Sequence, residues 1–284
     1  DQAELTTIFT EKSVDFINLN KDNPFFLYVP HPMPHVPIAV SKKFLGKSEQ
    51  GLYGDLMMEI DWSVGKIINA LEQNNIIDNT LIIFTSDNGP WLNFGNHAGS
   101  TGGLREGKGT SFEGGQRVPT VMMWPDVIPP GKIANQLSSA IDILPTVSHI
   151  VDGNLPKHKI DGINIMEILK GEKVNPRKEF YYYYGNNNLE AVRKDNWKLI
   201  LPHNSRSYKG VLPNNDGFPG NYNSITTGLE LYNLRRDPGE EYDVIKKYPN
   251  IAKVLEELAE KARSDMGDNL TGRKGINNRT HGKL

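Results

Sequence analysis

The chain has 284 residues, 37% hydrophobic and 23% charged, with a net charge of −2 and no cysteine. That is enough for one large domain with a smaller companion, and it excludes disulfides, thiolate zinc sites and a cysteine nucleophile. The balanced charge offers no footprint for nucleic acid or an anionic membrane, and no apolar run approaches the ~18 to 20 residues of a bilayer span.

No charged-then-apolar leader opens the sequence, so a soluble mature form is expected, with any leader outside this stretch. In chain order, Leu5, Ile8, Phe9, Phe16 and Ile17 mark the first twenty residues as a helix. Residues 24–30, PFFLYVP, read as a short buried strand bounded by prolines, and PHPMPHVP after it as an ordered loop. A stripe from Leu52 through Leu56, Ile60, Val64 and Ile67 to Leu71 predicts a helix over 52–73. The strand TLIIFTS, a glycine-rich loop from Gly89 to Gly115 and a second buried strand, VPTVMMWP, follow. A helix between two buried strands is the βαβ pattern of a mostly parallel sheet flanked by helices. In such sheets ligands sit at the carboxyl ends of the strands, so loops 31–37 and 87–115 mark the site.

Past about residue 175 the grain changes. EFYYYYG, LEAVRKDNWKLILP and LELYNLRRDP predict an antiparallel meander, and residues 203–228, rich in Asn, Gly and Ser, an exposed insertion. An amphipathic helix over 250–267, with Ile251, Val254, Leu255, Leu258 and Ala262 inward, closes the pattern. The expected division is therefore 1–174 and 175–284.

Asp87 and Asn88 place a carboxylate and an amide oxygen together at a strand end, a pair suited to a hard cation such as calcium. The same Asp-Asn-Gly also makes a tight turn whose side chains satisfy local backbone groups, and both readings stand. His31 and His35 in the neighbouring loop are candidate acids or anion contacts, or simply structural imidazoles. Lys108 sits among glycines that would let its ammonium approach a ligand, or is an ordinary solvated lysine.

The ordered set PFFLYVPHPMPHVP, TLIIFTSDNGP, GSTGGLREGKGTSFEGGQRVPTVMMWPDVIPPG, DILPTV, DGINIMEILKGE and LELYNLRRDPGE resembles the sulfatase family, particularly its arylsulfatase A and N-acetylgalactosamine-6-sulfatase branch. The resemblance runs from about residue 13 to 265. It implies an alkaline-phosphatase-like α/β fold, incomplete at its N-terminal side, with a smaller C-terminal domain holding an antiparallel sheet and a helix. It further implies Asp87 and Asn88 as calcium ligands, Lys108 as the lysine that binds the sulfate and helps the leaving oxygen, and His35 as the contact to the sulfate ester. His31 has no match and stays loop structure. Glu113 and Arg117 are expected to brace the loop; Trp91 and His97 could line the pocket.

Sulfatases act through a formylglycine made from a Cys/Ser-x-Pro/Ala-x-Arg motif, and this chain has none: cysteine is absent, and Ser138, with Ala140 two residues on, has Asp142 where arginine should stand. The family's paired aspartates and its second lysine and histidine are also missing. The expectation is therefore a C-terminal portion that does not turn over sulfate esters by itself, binds calcium weakly, and associates through exposed truncated surface. The implied substrate is a sulfated carbohydrate or aryl sulfate ester, and the implied location periplasmic or extracellular. A phosphatase or phosphodiesterase of the related fold and a non-catalytic carbohydrate-binding remnant are the alternatives.

Overall fold

The computed structural model of the chain describes residues 1–278. Helices α1 (Leu5–Asn20) and α2 (Gly51–Gln73) lie where the apolar stripes place them and pack against each other. Ile17 meets Ala70 and Leu71, and Phe25, Leu27 and Ile82 close over them. A polar seam runs through this contact: Thr10 donates to Ser63 Oγ at 2.6 Å, and the fully buried Glu59 carboxylate accepts from Thr7 Oγ1 and the Ser41 N–H, both at 2.9 Å. The Glu59 carboxylate and the Thr10 and Ser63 hydroxyls thus have partners, which offsets the desolvation cost of burying them, while the Ser41 hydroxyl is buried without one.

Two expectations about the first sheet are corrected. Residues 24–30 run extended but join no ladder. Their burial alternates with the period of a strand: Phe25, Leu27 and Val29 turn inward, while Phe26 and Tyr28 are 70% and 75% exposed. Strands β1 (Ile82–Thr85) and β2 (Thr120–Met123) pair antiparallel, Ile82 opposite Met123 and Thr85 opposite Thr120. The described strands thus form no mostly parallel sheet. β1 and β2 are joined by a long loop rather than a crossover helix, so the chain returns in the opposite direction. One face of this ribbon carries Val121 at 65% exposure, with Phe84 and Phe26 also uncovered.

The short helix α3 (Glu113–Gln116) ends the glycine-rich loop, and α4 (Ile143–Ile150) and α5 (Met166–Leu169) follow β2. Asp142, fully buried before α4, closes a capping box with Ser139 and receives Arg177 and the Ile163 N–H. Strands β3 (Glu179–Tyr184), β4 (Asn188–Lys194) and β5 (Trp197–Ile200) form a meander, then β6 (Asn204–Ser207) and β7 (Asn223–Thr226) a separate hairpin, and β8 (Glu230–Asn233) returns beside β5. The expected antiparallel sheet and closing helix are both present. Helix α6 (Pro249–Met266) covers one face with Leu255, Leu258, Ala259 and Ala262 against Leu189, Val192, Leu199 and Leu231. Val254, expected inward, is 40% exposed. Part of the insertion expected to be exposed is the β6–β7 hairpin, with Ser205 and Ser207 buried. Residues 279–284, at the end of the expected second domain, lie outside the described residues.

The sheet's other face positions the site. Tyr182, Ala191, Ile200 and Tyr232 receive Phe112, a fully buried residue of the glycine-rich loop. Opposite the Tyr182/Tyr183 step, β4 skips one residue: Tyr182 faces Ala191 and Tyr183 faces Leu189, leaving Glu190 as an unpaired bulge. An extra residue breaks the strict in-out alternation. The Glu190 carboxylate is thereby available to the loop rather than to α6, and it accepts from Ser111 Oγ at 2.6 Å.

Candidate functional site

Three loop segments meet at Trp91. The Asp-Asn-Gly turn leads directly into it. The His35 ring lies edge-on to its indole with centroids 6.0 Å apart, and the Lys108 ammonium sits 5.1 Å from the ring centroid. An ammonium at that distance is attracted by the indole's π face. His35 Nδ1 is 2.7 Å from the Val36 carbonyl, so that nitrogen carries the proton as donor and Nε2 is left for a ligand. Phe94 packs on the indole at 4.8 Å.

Backbone bonds stitch the two main loops together. The Lys108 N–H donates to the Pro90 carbonyl at 2.8 Å, and the Gly89 N–H to the Gly115 carbonyl at 3.0 Å. Glycine is required for this approach: a Cβ on Gly89 would lie 1.8 Å from the Gly114 carbonyl oxygen, and one on Gly114 2.1 Å from that of Glu106. Ser86 Oγ closes the turn on the Asn88 carbonyl at 3.0 Å. Neither bond that closes the turn uses the side chain of Asp87 or Asn88, so both oxygens remain available to a ligand.

The loop carrying Lys108 is anchored in the C-terminal sheet by charge. The Lys198 ammonium, fully buried, is 3.0 Å from Glu113 Oε1 and 2.9 Å from Glu240 Oε1, and donates to the Ser111 carbonyl at 2.8 Å. Glu240 Oε2 accepts the Glu113 N–H at 2.7 Å, and Arg193 approaches Glu113 at 3.9 Å. Burial alone would lift the Glu113 carboxyl, but Lys198 and Arg193 outweigh it and hold it below the ordinary range. Burial and the neighbouring Glu113 charge push Glu240 up. Burial would lower Lys198, yet the two carboxylates raise it, so it stays charged. Glu113 is the brace the sequence suggested; Arg117 is exposed and contributes a backbone N–H to the Glu113 carbonyl. A second clamp comes from β6 and its exit: Glu106, at φ +58°, accepts from Ser207 Oγ and the Tyr208 N–H, and Tyr208 Oη donates to the Lys108 carbonyl at 2.7 Å. Lys198, Glu240, Glu190 and Tyr208 carry no motif. Only Lys198 left a trace in the sequence, a lysine amid apolar residues in WKLIL.

The residues singled out from sequence divide accordingly. His35 and Lys108 both reach Trp91, and Asp87 and Asn88 lie on the turn that leads to it. His31 does not join them: it is packed on Phe9 and faces Ser63 Oγ from Nε2 at 3.3 Å, and burial, against the pull of Glu59, keeps its imidazole below 6.5. His97 lies beside Gly217 of the insertion, with Nδ1 buried and unpartnered. The oxygen donors of Asp87 and Asn88 suit calcium in kind but not in number, since about six to eight are needed. No cluster of three or more metal-binding side chains exists among the described residues. Asp87 and Asn88 therefore stand as a pair of oxygen donors, and the sequence carries no cysteine and no Ser-x-Pro/Ala-x-Arg. A surface hollow of about 760 Å³ along α2, lined by Phe44, Tyr53, Met57, Met58 and Trp62, contains none of these residues.

Comparison with known proteins gives the arrangement a context. The family model described as Sulfatase matches residues 2–153, and one described as N-sulphoglucosamine sulphohydrolase, C-terminal, matches residues 107–266. Mouse N-acetylgalactosamine-6-sulfatase is 36% identical over 255 residues, covering 85% of this chain and 48% of that protein. An N-acetylgalactosamine-6-O-sulfatase of Bacteroides thetaiotaomicron is 32% identical over 274 residues, 92% of this chain and 51% of that one. The chain spans about half the length of the curated relatives it matches. Among solved structures, a sulfatase from work on glycosaminoglycan metabolism by Bacteroides thetaiotaomicron superposes with a TM-score of 0.76 at 31% identity, over 93% of this chain and 55% of that one. A sulfatase from Pseudoalteromonas sp. does so with a TM-score of 0.78 at 25% identity, over 91% and 52%.

Proposed function

The chain belongs to the sulfatase family, and on that premise we propose that the loops around Trp91 are the sulfate-gripping part of a sulfuric ester hydrolase site. The observation that carries the proposal is the approach of His35 and Lys108 to one indole, at 6.0 Å and 5.1 Å. Lys108 neutralises the sulfate oxygens and stabilises the charge that develops on the leaving oxygen. His35, its Nδ1–H donating to the Val36 carbonyl, would as the imidazolium donate Nε2–H to an ester oxygen. Asp87 and Asn88 supply two of the oxygen ligands of a calcium ion that would polarise the sulfate when bound. The glycan half of a sulfated carbohydrate, or the ring of an aryl sulfate, rests on the rim formed by residues 89–103 and 203–228. In this reading residues 1–174 belong to the catalytic α/β domain and 175–284 to the domain that clamps it. No helix of the described residues is long and apolar enough to cross a membrane; we place the enzyme in the periplasm or outside the cell, where sulfated glycans are met.

Magnitudes set what this chain does alone. Enzymes lower barriers by roughly 8 to 23 kcal/mol, whereas one positioned acid contributes a factor of ~10² to 10⁴, or about 3 to 5 kcal/mol. With no residue able to become the formylglycine, the 284-residue chain binds sulfate esters without hydrolysing them. Titration with N-acetylgalactosamine 6-sulfate followed by calorimetry tests this. Binding should weaken at least tenfold in Lys108→Met and less in His35→Ala, with no release of sulfate. Binding indifferent to Lys108 would refute the site, and turnover by the pure chain would refute the division of labour.

A further inference from the structure

Arg206 lies within the 203–228 rim but has been given no role of its own, and its surroundings are unusual for a structural arginine. It lies on β6 opposite Ser224, and its guanidinium stacks on the Tyr222 ring at 4.2 Å. It also lies flat against Gly109, the residue after Lys108: a Cβ built there would sit 3.1 Å from Nη1 and 3.3 Å from Cζ. Among the described residues it pairs with no carboxylate. Glu106, on the same loop, is already committed to Ser207 Oγ and the Tyr208 N–H at 2.6 and 2.7 Å. Among the described residues the guanidinium's acceptor is Tyr208 Oη at 3.3 Å, and that hydroxyl donates onward to the Lys108 carbonyl.

A guanidinium carries five donors in a rigid fork that fits the oxygens of a carboxylate or sulfate. Here most of that fork is unspent, while the group is part-buried between an aromatic face and a glycine with no counter-charge. A purely structural arginine in such a place would be expected to have a carboxylate or several carbonyls. The glycine at 109, at φ +92°, is what lets a charged plane come so close to the loop that presents Lys108. The insertion folds over the same rim: the N–H groups of Asn214 and Gly220 donate to the Asn93 carbonyl, and Asn96 pairs with Asp216. This places Arg206 beside the rim where the rest of a glycan would rest.

We propose that Arg206 is a second anion-binding residue of this site, receiving an anionic substituent on the same glycan whose scissile sulfate is held at Lys108. The substituent is a further sulfate or a uronate carboxylate; both present oxygens to the fork. The inference rests on the sulfatase reading and deepens it, since it makes the preferred substrate class a glycan with two neighbouring negative groups.

The test uses the chain as it stands. Wild type, Arg206→Gln, Arg206→Lys and Lys108→Met are titrated calorimetrically with three probes, with melting curves to show that each variant is folded. The probes are N-acetylgalactosamine 6-sulfate, N-acetylgalactosamine 4,6-disulfate, and the disaccharide of glucuronate with N-acetylgalactosamine 6-sulfate. Wild type should bind at least one dianionic probe roughly tenfold or more tighter than the monosulfate. Arg206→Gln should abolish that preference, weakening the dianionic probe roughly tenfold and the monosulfate by much less, while Arg206→Lys keeps part of it. Whichever dianion shows the gain identifies the substituent. No preference in wild type, or a preference that survives Arg206→Gln, overturns the proposal; so does an equal loss on all three probes. Lys108→Met failing to weaken the monosulfate instead overturns the sulfate site itself, whatever Arg206 does. A chain that binds none of the three refutes both.

Discussion

The loop bearing Lys108 and the turn bearing Asp87 and Asn88 border the same tryptophan, yet they are held by opposite means. The first is driven into the C-terminal sheet: Phe112 fills an apolar face, Ser111 reaches the Glu190 bulge, Glu113 meets Lys198, and Tyr208 ties down the Lys108 carbonyl. The second is held through backbone, the Gly89 N–H reaching the Gly115 carbonyl and the Pro90 carbonyl accepting the Lys108 N–H, and by Ser86, with Asp87 exposed. A charged group that must meet a sulfate at fixed geometry gains from a rigid support, because misplacement by about 1 Å is costly in catalysis. On the proposed reading, in which Asp87 and Asn88 are two ligands of a cation held also by other groups, little is gained by locking them beforehand. The C-terminal sheet therefore acts as the brace of the lysine, and the site is half preorganised and half open.

The most severe way to break that contrast is Lys198→Met. It leaves the Glu113 and Glu240 carboxylates buried without the ammonium between them, and removing one member of a buried ionic cluster costs ~3–5 kcal/mol. Denaturant unfolding should show that loss, and Lys108-dependent sulfate binding should fall with it even in conditions where the variant is folded. Gly114→Ala comes next: its Cβ would meet the Glu106 and Arg105 carbonyl oxygens at 2.1 and 2.5 Å, which backbone must move to relieve. Overpacking of that kind costs about 1–3 kcal/mol, and the Lys108 side of the site should suffer more than the Asp87 side. A variant as stable as wild type with intact binding would show that the close packing of the loops is dispensable.

This contrast also explains what could be read from the chain and what could not. Helix periodicity exposed α1, α2 and α6, because one buried stripe is a local property of each. The turn of Asp87 and Asn88 after β1 and the glycine-rich loop of Lys108 were legible because polar and glycine-rich residues interrupt apolar runs abruptly. The pairing direction of β1 and β2 was not, since a short apolar strand looks the same in either orientation and its partner is a long loop away. The inward reading of PFFLYVP failed for a related reason. Aromatic β-formers mark a strand that wants two covered faces, but the described residues cover only the face of Phe25 and Leu27. The brace was invisible because Lys198, Glu240 and Glu190 come together only through tertiary structure, and Glu190 only through a bulge.

Smaller effects sharpen the comparison. Tyr208→Phe removes the hydroxyl that ties the Lys108 carbonyl to Arg206, a loss of about 1 kcal/mol. Its signature should be weaker sulfate binding out of proportion to the small drop in thermal midpoint. His31 gives a pH dependence remote from the site. Its imidazole is held below its ordinary 6.5 in the folded chain, chiefly by burial, so below that pH the unfolded chain takes up the proton more readily. Its contribution is therefore whole above pH 6.5 and lost progressively as the pH falls towards the folded value. Calorimetric scans across that window should show a declining midpoint that His31→Gln flattens; an unchanged slope in the variant would assign the decline to other groups.

The mildest substitution discriminates best between an open half-site and a mere turn. If Asp87 served to hold the Asp-Asn-Gly turn, Asp87→Asn would loosen it and lower the melting midpoint. Because the turn is closed by Ser86 Oγ and the Gly89–Gly115 backbone bond, the midpoint should stay where it is in chelator-treated protein. Millimolar calcium should raise the midpoint slightly in wild type and not in Asp87→Asn, since only a ligand of the folded state can shift it. A destabilised variant in the absence of any cation would place Asp87 in the scaffold with Glu113 rather than at the open side of the site.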